Sequence, residues 1–124
     1  MILPKRRRPP KMGLREPSDR LCQGHLRWIR QHFCAVREVN GHECEGRIEA
    51  HHVRLGTDGG VGRKPSDRWA VPLCGTAHRS LHDKGQVSFE KLHDIDLKEI
   101  AEGLAARSPA LRKRARAFWL AQEG

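Results

Sequence analysis

The runs Glu49-Ala50-His51-His52-Val53-Arg54 and Val71-Pro72-Leu73-Cys74, the second followed by His78 and His82, concentrate the reactive side chains of this chain. Residues 47–54 are few, set Ile48 and Val53 among polar neighbours, and predict a strand. Residues 69–73 form a second short apolar run fit for a strand. A helix is expected from Cys74 or Gly75 through Lys84, where Gly85 ends it. On that helix His78 and His82 stand one turn apart, about 6 Å along the axis and on one face, so both can ligate one ion. Between the strands, Gly56, Gly59, Gly60, Gly62 and Pro65 exclude a long regular element. The centre therefore reads as strand, loop, strand, helix.

Cys34, Cys44, His51, His52, Cys74, His78 and His82 crowd potential metal ligands into the 49 residues from Cys34 to His82. Pairing the cysteines as disulfides would leave the histidines idle. Cys34 and Cys44 precede the first strand and Cys74 opens the helix, so the chain order suggests two sites. Thiolates are soft ligands suited to structural zinc, and such a clip converts binding free energy into folding free energy. The histidines suit a more open site, where a divalent ion keeps room for substrate. Successive strand residues point to opposite faces. His51 and His52 reach one site only if the chain is leaving the strand; otherwise one is ligand or base and the other supports it. Arg54 would share a face with His52 and reach a phosphate.

Working outward, Leu21, Cys22, His25, Leu26, Trp28, Ile29 and Phe33 recur at helical spacing after a cap at Ser18 or Asp19. Cys22 reads as a core thiol. Two more helices are expected over residues 87–93 and 96–106, with Phe89, Leu92, Ile95, Leu97, Ile100 and Leu104 facing a core. Ser108-Pro109 then starts a last helix over 110–122, with Pro at its first position. The chain has 124 residues, 37% hydrophobic and only 5% aromatic, which is room for one domain with a thin core. Its formal charge is +9, which points to a polyanionic partner. Residues 1–17 carry Arg6, Arg7 and Arg8 among prolines and read as a basic flexible arm; 109–124 form a basic helix with Arg112 and Arg114. The glycine loop offers Arg63 and Lys64 to a phosphate backbone but lacks the form of a nucleotide-binding loop. No run is long enough to span a membrane, and the start has no secretory apolar region, so a cytoplasmic location with reduced thiols is expected.

Glu49 to Arg54, Gly59-Gly60-Val61-Gly62-Arg63-Lys64-Pro65-Ser66-Asp67, Val71 to Cys74, and His78 with His82 together resemble the HNH nuclease superfamily, more narrowly its small phage and prophage HNH-type proteins. The resemblance covers residues 25–108 and makes 18–108 an HNH-like nuclease domain. It implies an α+β fold: a ββα-metal core gripping one catalytic cation (Mg²⁺, Mn²⁺ or Zn²⁺), a structural zinc knuckle, and flanking helices. By that likeness His52 matches the general base, His78 and His82 the helix ligands, and His51 the ligand before the base. Asp67 falls near the asparagine that holds the base, and an aspartate can still accept from an imidazole N–H. Cys34, Cys44 and Cys74 match the knuckle. Two features depart from the family: Ala77 stands where relatives carry a fourth zinc ligand, and the gap between Cys34 and Cys44 is wide. His78, His42 or water would then complete the zinc.

The activity implied is metal-dependent cleavage of DNA with weak sequence selectivity, as endonuclease or nickase, leaving 5′-phosphate and 3′-hydroxyl ends. Histidine's ordinary pKa of ~6.5 suits a base near neutrality, and a cation absorbs charge developing on the phosphate oxygens. Arg54 would stand beside it. The alternatives are a noncatalytic zinc-stapled DNA-binding module and an accessory protein of a phage recombination or packaging machine. The oligomeric state is not legible in the sequence.

Overall fold

A computed structural model describes residues 20–37, 43–60 and 62–123, with five α-helices and one two-stranded sheet among them. The basic arm with Arg6, Arg7 and Arg8, and also Ser18, Asp19 and His42, lie outside the described residues. The cap expected at Ser18 or Asp19 is corrected all the same: the first helix begins at Gln23, with Cys22 at its cap position and no side-chain cap bond. In chain order come α1 (Gln23–Ile29), β1 (Ile48–His52), β2 (Ala70–Cys74), α2 (Gly75–Lys84), α3 (Gln86–His93), α4 (Leu97–Arg107) and α5 (Pro109–Glu123). None of these helices is long and apolar enough to cross a membrane.

The strands are antiparallel, with His51 opposite Val71 and His52 opposite Ala70. Alternation then sorts the side chains. Val71 and Leu73 join a cluster with Leu81, Phe89, Leu97 and Ala101 on the face covered by α2, α3 and α4. Ala70 joins Leu26, Ile29 and Leu104 on the face covered by α1. Pro72 sits in β2 without a ladder donor; its carbonyl turns outward and accepts the Ala35 N–H at 2.9 Å. A central proline is tolerated because each strand of a two-stranded sheet has a free edge.

Local chemistry sets the helix ends. Cys74 caps α2, its Sγ accepting the Ala77 N–H at 3.4 Å. Gly85 closes α2 at φ 87°, a left-handed value glycine takes without strain. Asp96 caps α4 by accepting the Glu99 N–H at 3.2 Å.

Three apolar expectations fail. Leu21 precedes α1 and is exposed, and the helix stops at Ile29, leaving Phe33 exposed with the Arg37 guanidinium 4.0 Å over its ring. Leu92 is also exposed, because α3 is one short helix and turns Phe89 inward instead. Cys22 is buried beside Ala105 and Leu111, away from the other cysteines.

Candidate metal centres

Three imidazoles converge between β1 and α2. His51 Nδ1 lies 3.3 Å from His78 Nε2, which lies 3.2 Å from His82 Nε2, and the three donor nitrogens fall within 4.8 Å of one another. Two nitrogens bound to one tetrahedral zinc at ~2.1 Å would be about 3.4 Å apart, so this donor set fits a divalent cation. On the far side of His78, Nδ1–H donates to Glu49 Oε1 at 2.5 Å. That bond fixes the tautomer and leaves the Nε2 lone pair facing the other rings. Burial, then the neighbouring His78 and His82, lower His51 from 6.5 to about 3, so its ring is neutral at pH 7.

Glu49 had no role in the sequence reading beyond its place in the motif. Its signal is position: two residues before His51 on a strand means the same face. The pairs Glu49 with Leu73 and His51 with Val71 put both on the side of α2.

Cys34, Cys44 and Cys74 form a second group, their sulfurs also within 4.8 Å of one another. Sulfurs around one zinc at ~2.3 Å would lie about 3.8 Å apart, so a soft cation fits here too. The Cys74 N–H donates to Cys34 Sγ at 3.4 Å, bracing the site from the chain itself. Burial raises the Cys34 thiol, and local desolvation with hydrogen bonds to Cys74 and Cys34 pushes Cys44 up to about 12. Both shifts keep Cys34 and Cys44 as neutral thiols until a bound cation displaces their protons. His78, one of the suggested fourth ligands, stands instead with His51 and His82.

His52 and Asp67 come together apart from the trio. His52 Nε2 donates to Asp67 Oδ1 at 2.8 Å, and Asp67 Oδ2 accepts the Cys22 N–H at 2.7 Å. Asp67 is 1% exposed, so both carboxylate oxygens are used in the interior. With the Nε2 proton held there, Nδ1 is the free acceptor of His52. The register puts His52 opposite Ala70, on the α1 side, whereas His51 faces α2. Of the two readings of the adjacent histidines, the structure favours one ligand and one separately supported neighbour.

The expectation that Arg54 shares a face with His52 is corrected. The strand ends at His52, and Arg54 instead lines a cavity with His51 and His82. Arg63 and Lys64 are exposed on the glycine loop, where Arg63 and Gly60 exchange backbone hydrogen bonds. On α5, Arg112 lies with Lys113 and Arg116 around a shallow cavity. Arg114 Nη1 donates to the Leu21 carbonyl at 2.9 Å, so it ties α5 to the start of α1.

A family model described as "Protein of unknown function (DUF968)" matches residues 6–108. No curated protein and no solved structure matches the chain.

Proposed function

The chain belongs to the DUF968 family, and we propose that it is a metal-dependent phosphodiester hydrolase of HNH type acting on DNA. The observation that carries this reading is the convergence of His51, His78 and His82 on one point, with Glu49 behind His78. Strand β1 supplies Glu49 and His51 and helix α2 supplies His78 and His82, while β2 leads the chain into that helix, an order that agrees with a ββα-metal core. A divalent cation held there supplies charge stabilisation to the phosphate oxygens.

The chain's own residues account for the rest. Arg54, beside His51 and His82, pairs with the phosphate. His52 takes the proton of the attacking water on Nδ1 while Asp67 holds Nε2. Water oxygen bonds to phosphorus as the bond to the 3′ oxygen breaks, and the departing 3′ oxyanion takes a proton from solvent, leaving a 5′-phosphate and a 3′-hydroxyl. The cysteine trio would hold structural zinc, with His42 or water as the fourth ligand; His42 lies outside the described residues.

A plasmid-nicking assay tests this. Nicking is expected with Mg²⁺ or Mn²⁺ and not with EDTA, and His52→Ala should slow it about 10²–10⁴-fold with the fold intact. Nicking by the chelated protein, or a His52→Ala variant as fast as the parent, overturns the mechanism.

One observation favours a second reading, a noncatalytic zinc-stapled DNA-binding module: His52 faces the opposite side of the strand from the trio. Metal-loaded protein that binds DNA and never nicks it would establish that reading instead.

A further inference from the structure

Next to the imidazole trio, a cavity of about 400 Å³ is walled by Arg54, Leu55, Val87 and the end of α2 at Lys84. It meets a second hollow of about 510 Å³ that shares Lys84 and Ser88 and continues to Lys91 and Leu92. The two make one groove running from His51 and His82 around the corner between α2 and α3. The Leu55 N–H donates to Gln86 Oε1 at 3.3 Å, which joins its two walls.

Its chemistry is one-sided. Among the described residues lining it there are three cations and no carboxylate. Glu90, the carboxylate of α3, accepts the Leu97 N–H at 2.7 Å and is occupied at the start of α4. The groove also presents aliphatic surface: Leu55, Val87 and Leu92 are 51%, 64% and 47% exposed.

A duplex offers such a groove only phosphates, since its base faces are stacked inside. An unpaired strand offers phosphates to the cations and bare base faces to the aliphatic walls, where burial is favourable. The first cavity lies within the range of about 300–1,000 Å³ that small-ligand clefts occupy, room for a nucleoside. We infer that this groove is the track for a single-stranded stretch of nucleic acid leading to the imidazole centre, with Lys84 and Lys91 as its phosphate-positioning residues. The inference rests on the phosphodiester reading above and adds the substrate's form.

Fluorescence anisotropy with a short labelled oligothymidylate and its duplex tests the inference without any turnover. The single strand should bind about tenfold tighter than the duplex. Lys84→Ala with Lys91→Ala should reduce the salt slope for the single strand by about 1.4, two contacts at ~0.7 each. Val87→Asp should abolish the preference for the single strand while leaving the far-UV spectrum and bound metal unchanged. Lys113→Ala with Arg116→Ala, which removes equal charge from α5, should leave that preference intact. Equal affinity for duplex and single strand, or a preference moved by the α5 variant and untouched by the groove variants, overturns the inference. Binding as described with no cleavage of either oligonucleotide form in Mg²⁺ or Mn²⁺ would refute hydrolysis while sustaining the groove; cleavage without strand preference would do the reverse.

Discussion

Glu49 shows how one carboxylate decides what an imidazole can do. By accepting the Nδ1 proton of His78 it leaves Nε2 unprotonated, its lone pair turned toward His51 and His82. Glu49→Gln removes that charge, and the affinity of the imidazole centre for Zn²⁺ or Mn²⁺ should fall about 10–100-fold in a competition titration with a chelating dye. An unchanged affinity would show that Glu49 merely lies nearby. His78→Ala should cost one ion per chain by metal analysis while leaving the cysteine centre loaded; loss of both ions would mean that the two sites share a ligand. The spacing of His78 and His82 made the helix pair readable from sequence. Glu49 was not readable, because a glutamate on a short strand is ordinarily a solvated side chain.

Helix ends were the most legible elements. Cys74, Gly85, Asp96 and Pro109 each mark a boundary by a chemical property that survives in the fold. Asp96→Ala should destabilise by about 1 kcal/mol in urea unfolding through loss of the α4 cap; no change would mean that the Glu99 N–H finds another acceptor. Helix α1 was less legible. Its apolar residues continue at helical spacing past Ile29, yet contacts with Leu104 and Ala70 reward only its first turns.

That helix is tied to the junction of α4 and α5 by His25, fully buried, whose Nδ1 meets the Ser108 hydroxyl at 2.7 Å. Burial lowers His25 from 6.5 to about 4; Asp67 opposes the shift, while Arg68, His32 and His52 reinforce it. The unfolded chain binds this proton first, so stability is fully present above pH 6.5 and falls as pH drops toward 4. The loss amounts to roughly 3 kcal/mol from His25. His51 shifts in the same direction, so the readout is a difference. His25→Gln should flatten the pH dependence of the urea midpoint between pH 6.5 and 4.5 relative to the parent chain. Parallel curves would show that another group carries it.

At the scale of the whole molecule, two candidate metal centres stand beside a thin core, and an ion in either would pin it. The cysteines gather the chain on either side of the sheet, at residues 34, 44 and 74, so an ion there joins segments far apart in sequence. Stripping metal with a strong chelator should lower the melting temperature by about 10 °C or more. Cys74→Ala should reproduce most of that loss. Melting unchanged by the chelator would leave the thiols as ordinary core groups. The grouping of cysteines apart from histidines was legible from their order along the chain. The turning of His52 away from His51 was legible only as one of two options, because it depends on where the strand ends. The groove beside α2 and α3 was not legible at all, since it joins residues 54, 84 and 91 through the packing of three elements.

Pro72 has an effect beyond the fold. In the middle of β2 it presents no N–H to the outside, and its carbonyl is already taken by Ala35. A stray strand from another chain finds neither partner there, so cross-β growth along that margin is blocked at its centre, a safeguard against aggregation for a protein with so little interior to hold it closed.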